Sequence, residues 1–420
     1  MKSNRVVRFL KILGPGLVTG ASDDDPSGIA TYAIAGASQG YALLWTALFT
    51  FPLMAGVQFI CAKIGMVTGR GISGVIRQNY GKALLYPVVL ALVVANTLNV
   101  GADLGAIADG VNLLVHVPRP LVVVLASVGL VTLQMFGSYR SIARTFKWLT
   151  LALLGYIGAA FFARPELGAV LRGSLVPSLK FDRESLELLV GILGTTISPY
   201  LFFWQASQEV EEERAMGRDL AARQGATRQE LEDARWDVTT GMLFSNVVMY
   251  FIILATGATL HAHGKVEIQT AADAAEALRP LAGNWATVLM ALGLIGTGLL
   301  AVPIMTGAAA YGLAEAFGWR CSLNSNPRQC PEFYMAIVLS TLVGVAIDLL
   351  GFSAVKMLYW TAILNGVIAP PLLAIIMHIS GDPKIMGEHR HGRLLGALGW
   401  AAAAVMGLAA LAMLWSMWAK

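Results

Sequence analysis

The sequence predicts an all-α polytopic membrane protein of eleven transmembrane helices, built as two inverted five-helix repeats plus one further helix. Three observations carry that prediction. Of the 420 residues, 56% are hydrophobic and 13% charged, with mean hydropathy +0.65, whereas soluble domains carry about 25% charged residues. Apolar runs long enough to cross about 30 Å of hydrocarbon, roughly 20 residues each, recur along the chain. Two of these runs, five apart, are interrupted in the same way, by Pro with small polar residues before it: Asp25-Pro26-Ser27-Gly28 and Thr195-Thr196-Ile197-Ser198-Pro199-Tyr200. Five is odd, so the second broken helix enters from the opposite side of the bilayer, as in inverted repeats whose discontinuous helices meet near the midplane.

Taken in order, the runs fall at 12–37, 41–66, 84–113, 121–137, 146–163, 186–208, 238–260, 285–315, 333–351, 354–378 and 394–418. The first five form repeat one (12–163), the next five repeat two (186–378), and the last is the additional helix (394–418), all within a single transporter domain over 1–420. Ser38-Gln39-Gly40 reads as the turn between spans 1 and 2. With the N-terminus inside, 21 of the 30 Lys and Arg lie on cytoplasmic segments, so the positive-inside rule places the N-terminus in the cytoplasm and the C-terminus outside, in a plasma (inner) membrane. The basic segment Met1 to Lys11 is followed by an Asp-bearing apolar run without a small-residue cleavage site, so no signal peptide is expected. Three cysteines, Cys61, Cys321 and Cys330, make no disulfide framework.

The carboxylates in span 1 carry the chemistry. An Asp inside a membrane segment costs on the order of 2.5 to 3.5 kcal/mol by insertion scales, and unwound backbone survives at that depth only where it lines a cavity. Asp23-Asp24-Asp25 at a helix break therefore points to a cation site. Asp25, directly before Pro26, is the expected charged ligand. Ser27, Gly28, Thr195 and Ser198 are expected to add hydroxyl or backbone oxygens. Asp23 and Asp24 either face an outer vestibule or cap and solvate the broken segment.

Other polar residues belong to a possible ion pathway. Asp103 lies in span 3, and Asp109 falls roughly 600° further round the helix, either in a vestibule or near the outer interface. Asp348, near the outer end of span 9, reads as interfacial. Asn365, ahead of Pro370-Pro371 in span 10, offers either an amide contact to the ion or a helix-packing hydrogen bond. Glu209, with Glu211 to Glu213, sits where span 6 is expected to end; it lines a cation exit or, more in keeping with the alternating charges of Arg214 to Trp236 and the Asp219/Arg223 spacing, begins a solvated helix. The pairs His261/His263 and His389/His391 read as incidental loop residues, and Cys321 and Cys330 do not have zinc spacing. There is no G-x-x-x-x-G-K-[ST] loop and no nucleophile-base motif, so neither ATP-driven transport nor an enzyme is expected, and no cofactor.

Gly14-Pro15-Gly16 with Asp25-Pro26, Thr68-Gly69-Arg70, Ala102-Asp103-Leu104, Gly194 to Pro199 and Thr306-Gly307-Ala308 resemble, in collinear order over most of the chain, the Nramp family of divalent-metal transporters, and most closely its magnesium-transporting branch. The resemblance implies a LeuT-like fold, alternating access and a divalent metal bound between spans 1 and 6 as substrate. It also exposes departures. Where transition-metal members read Asp-Pro-Gly-Asn, this chain has Asp25-Pro26-Ser27-Gly28. Ser198 stands at the family's Met, Tyr200 at its His, and Ala106 at the Glu that follows the span 3 Asp.

Loss of a thioether leaves oxygen donors only, which suit hard ions. Mg²⁺ in particular keeps several waters, for which Gly28 and Ser198 leave room. Loss of the His removes the side chain best placed to exchange protons near neutral pH. The expected function is uncoupled transport of divalent cations, chiefly Mg²⁺ and also Mn²⁺. The first alternative is a proton-coupled Mn²⁺ or Fe²⁺ importer whose protons use Asp25, Asp103 and Asp109. Another, from a different class, is a small organic solute transporter on the same fold. The ion and the bilayer are the expected partners, with no nucleic acid and no obligate protein partner.

Overall fold

The structure, a computed structural model, describes residues 13–137, 151–218, 226–320 and 322–418. Among these residues all regular structure is helical. Span 1 comes in two pieces, Pro15–Asp23 (1a) and Pro26–Gln39 (1b). Span 6 does likewise, as Arg183–Thr196 (6a) and Pro199–Ala215 (6b). The continuous spans are Trp45–Thr68 (2), Lys82–Leu114 (3), Arg119–Phe136 (4), Arg228–Thr259 (7), Ala286–Phe317 (8), Pro331–Asp348 (9), Ala354–Gly381 (10) and Arg393–Trp418 (11). Of span 5, expected at 146–163, the described part is Leu151–Leu154 and Gly155–Phe162. Nine helical stretches among the described residues are long and apolar enough to cross a membrane. Span 1 is not one of them: each of its pieces is short, and any stretch across its break carries Asp23, Asp24 and Asp25, whereas span 6 is apolar across its own break.

Both breaks follow from Pro. Asp25 (φ −66°, ψ 170°) and Ser198 (φ −81°, ψ 136°) are extended, as the residue before Pro must be to avoid its ring. Pro26 and Pro199 then open 1b and 6b at the first helical position, where no amide is needed. The turn after span 1 is a Gly40 with φ +60°, a conformation glycine adopts without strain.

Two close approaches hold the broken spans in place. A Cβ on Gly20 would meet the backbone of Gly241, and one on Gly194 the backbone of Ala362 and Gly366. Span 1a thus lies directly on span 7, and 6a on span 10, at separations that only glycine permits. Span 1a is also capped from another helix: Asp237 of span 7 accepts hydrogen bonds from the amides of Gly14 (2.8 Å), Gly16 (2.6 Å) and Leu17 (3.0 Å). These are amides that a helix start leaves without intrahelical partners.

One sequence expectation fails here. Span 6 does not end near residue 208 but runs to Ala215, and Glu209, Glu211 and Glu213 are buried, so they do not begin a solvated face. Glu209 accepts from Gln205 Nε2 (2.8 Å) and Glu211 from Ser322 Oγ (2.8 Å) and Asn324 Nδ2 (3.1 Å), so the helix C-terminus is tied to the loop between spans 8 and 9. Asp219, Arg223 and Cys321 lie outside the described residues. Asp348 is the last residue of span 9, and its carboxylate is buried and pairs with Arg119 of span 4 (2.6 Å). Gly105 makes that possible, because a Cβ there would collide with both partners.

Candidate metal site

The breaks of spans 1 and 6 meet in the interior, where Asp23, Asp24, Asp25, Ser27, Thr195, Ser198 and Tyr200 are all essentially inaccessible to solvent. Asp25 has two roles divided between its two oxygens. Oδ1 accepts the amide of Gly28 (2.8 Å) and the hydroxyl of Ser27 (2.6 Å), capping 1b as an acidic residue at the positive end of a helix does. Oδ2 accepts from the phenol of Tyr200 at 3.3 Å, which also donates to the Ser22 carbonyl at 3.0 Å. Local chemistry therefore fixes one face of the carboxylate and leaves the other turned towards span 6.

On the span 6 side, the Ser198 hydroxyl donates to the carbonyls of Gly194 (2.8 Å) and Thr195 (2.7 Å). Its proton is committed to the end of 6a, and its lone pairs remain. The Thr195 hydroxyl and the Tyr32 ring lie against Gly28, 3.1 Å and 3.3 Å from where a Cβ would stand. The space that Gly28 leaves is therefore largely taken by these two side chains.

Asp23 and Asp24 do not face an outer vestibule. Both are buried and share the hydroxyl of Ser245 in span 7, at 2.5 Å and 3.1 Å. Asp23 Oδ1 and Asp24 Oδ2 have no hydrogen-bond partner among the described residues, and the same holds for both carboxylate oxygens of Asp103. None of Asp23, Asp24 and Asp25 enters an ion pair among the described residues. Buried carboxylates without a cationic side chain carry uncompensated charge that a bound cation or protons would neutralise. No group of three or more His, Cys, Asp and Glu among the described residues is arranged to hold a metal. An ion here would rely on carboxylate, hydroxyl, carbonyl and water oxygens.

The remaining expected residues divide. Asn365 accepts from Asn99 Nδ2 of span 3 (3.3 Å), a packing bond between spans 10 and 3. Asp109 is held by Arg119 (3.1 Å) in a bridge that also includes Asp348, and it lines a small, mostly apolar pocket with Ile29, Ala106, Met290 and Leu358. His261 and His263 bond backbone carbonyls of Ala37 and Thr259, and His391 bonds Ser380. Cys61 and Cys330 are buried and free. Sequence reasoning passed over three residues. Ser245 and Asp237 gave no local signal, because each acts on a helix more than 200 residues away. Tyr200 carries a local signal, its place beside Pro199 at the break.

Comparison with known proteins places residues 16–416 in the family described as natural resistance-associated macrophage protein-like, Nramp. The divalent metal cation transporter MntH of Klebsiella pneumoniae subsp. pneumoniae is 26% identical over 412 residues, covering 96% of this chain and 94% of that protein. Among solved structures, the manganese transporter of Eremococcus coleocola superposes with TM-score 0.78 at 16% identity, over 98% of this chain and 87% of that one. Mhp1, a nucleobase-cation-symport-1 family transporter, gives TM-score 0.57 at 15% identity, over 96% and 92%. At such identities the two structures bear on the fold alone. They agree with the LeuT-like fold class expected for an all-helical chain with broken spans 1 and 6.

Proposed function

The chain belongs to the Nramp family, and from that premise we propose that it carries divalent metal cations across a membrane by alternating access, with Asp25 as the charged ligand. The observation that carries the reading is the divided carboxylate of Asp25, with Oδ1 committed to capping 1b and Oδ2 facing the broken span 6 in a site with no cationic side chain paired to it. Backbone oxygens at the breaks, Ser27, Thr195 and Ser198 complete the oxygen set, with retained water.

For the substrate, the names of the relatives favour Mn²⁺: the Klebsiella protein is called a divalent metal cation transporter and the Eremococcus one a manganese transporter. Carboxylate, carbonyl and water ligands suit Mn²⁺ as well as Mg²⁺. The buried carboxylate of Asp103, which has no hydrogen-bond partner among the described residues, supports proton coupling, since a buried group of this kind is of use as a proton carrier. A second reading, Mg²⁺ transport without protons, is favoured by one observation: Ser198 puts a hydroxyl where the family has a thioether.

Uptake into proteoliposomes holding a lumenal pH dye separates the readings. Mn²⁺ uptake with acidification supports the coupled importer, and Mg²⁺ uptake at constant lumenal pH supports the other. Asp25→Ala is expected to lower uptake of either ion at least tenfold, about 1.4 kcal/mol of binding or barrier; unchanged uptake would reject Asp25 as the ligand. The same reading places the N-terminus in the cytoplasm and the C-terminus outside, which cysteine labelling of the termini in intact cells tests.

A further inference from the structure

We propose that the phenol oxygen of Tyr200 is a further oxygen donor of the cation site, sharing the ion with Asp25 Oδ2 while its hydrogen is held by the Ser22 carbonyl. The proposal rests on the reading that Asp25 binds the ion, and goes beyond it in assigning a ligand that the family motif does not supply.

Tyr200 is the second residue of 6b and is completely buried, in a hydrophobic cluster that includes Ala21, Leu201 and Trp204. Its hydroxyl has one hydrogen and two lone pairs. It lies 3.0 Å from the Ser22 carbonyl and 3.3 Å from Asp25 Oδ2. The carbonyl has no hydrogen to give, so a bond between it and the phenol uses the phenol's own hydrogen. A cation on Oδ2 takes over the electron pair that would otherwise accept from the phenol. The hydrogen then belongs to Ser22, and a phenol lone pair is left beside the ion.

The separation fits that arrangement. Ligands about 2.05 Å from the centre of an octahedral Mg²⁺ site stand about 2.9 Å apart when adjacent. The two oxygens here are 3.3 Å apart, within a few tenths of an ångström of that spacing. Because Oδ1 is held by Ser27 and Gly28, the carboxylate presents its ion-facing oxygen beside the phenol. Asp25 belongs to span 1 and Tyr200 to span 6b, so an ion shared by them joins the two broken helices directly. A neutral phenol oxygen also adds to the hard character of the donor set.

The test is isothermal titration of Mn²⁺ and of Mg²⁺ into the purified full chain, beside Asp25→Ala and Tyr200→Phe, with thermal unfolding of each variant recorded without ion and with it. Tyr200→Phe keeps the ring and removes the oxygen. It is expected to weaken binding of both ions about fivefold, the loss of one neutral oxygen contact, and to reduce the ion-induced rise in melting temperature. Affinity within about twofold of the native chain, with Asp25→Ala devoid of binding, would overturn the role of Tyr200 and leave that of Asp25 standing. Binding by Asp25→Ala equal to native would instead remove the premise. Should Tyr200→Phe not fold, Tyr200→His is read in its place: exchanging the phenol oxygen for an imidazole nitrogen at the ion is expected to raise the affinity for Co²⁺ relative to Mg²⁺. An unchanged ratio of the two affinities overturns the proposal.

Discussion

At the scale of single residues, the site depends on which atom of a side chain is already engaged. Ser198 gives its hydrogen to the carbonyls of Gly194 and Thr195, so it can offer an ion only lone pairs. Exchanging it for Met removes those bonds and introduces a soft sulfur. In titrations, Ser198→Met is expected to shift the preference from Mg²⁺ towards softer ions such as Co²⁺ and Cd²⁺ if the native site selects hard ions. It should alter little if the chain is already a transition-metal importer. Asp348 shows the same dependence on partners. Buried against the half-exposed Arg119, it holds spans 4 and 9 together, and removing one member of a partly buried pair leaves the other without compensation. Asp348→Asn is expected to lower the melting temperature more than Asp109→Asn, because the Asp109 side chain is 28% exposed and water can replace its partner.

At the scale of the helix, span 1a is held by its neighbours more than by its own sequence. It is a short helix, below the length at which helices are stable alone, and its first amides are capped by Asp237 across the interface with span 7. Thr19 further donates to Gln205 of 6b (2.6 Å), which in turn bonds Glu209. Asp237→Ala removes three hydrogen bonds to one helix end and is expected to free 1a from span 7. Thiol labelling of a cysteine placed at Ser22 should then become faster than in the otherwise native protein; an unchanged rate would mean that packing alone holds 1a. That packing has its own test. Gly241→Ala drives a methyl group into the backbone of Gly16, an overpacking that costs about 1–3 kcal/mol, whereas Gly129→Ala in span 4 meets nothing within 4 Å and should not lower thermal stability, since alanine is the better helix former.

At the scale of the whole molecule, the two breaks and the three carboxylates lie together in the interior, and close glycine contacts seat the broken spans on spans 7 and 10. In the proposed function spans 1 and 6 supply the ion-facing groups, while 1a rests on span 7 and 6a on span 10. Alternating access in such a fold is largely rigid-body movement of one bundle against the other, and an ion bridging Asp25 and Tyr200 would link the two at that centre. Transport measured as ion flux and lumenal pH together is the observation that decides how that movement is driven.

The sequence by itself determined the membrane class, the positions of most spans and the two breaks, because composition, apolar length and Asp-Pro or Ser-Pro steps are local properties of the chain. It also singled out Asp25, since a carboxylate at the break of an apolar helix has no inexpensive structural reason to be there. Only the tertiary structure decided what each carboxylate meets. Asp23 and Asp24 turn to Ser245, Asp348 to Arg119, Glu211 to Ser322 and Asn324, and the free oxygen of Asp25 to Tyr200. Those partners lie between 111 and 229 residues away in all cases. Helix periodicity shows which face of a span is polar, but which other span that face meets is set by packing of the bundle, and with it the chemistry available to an ion.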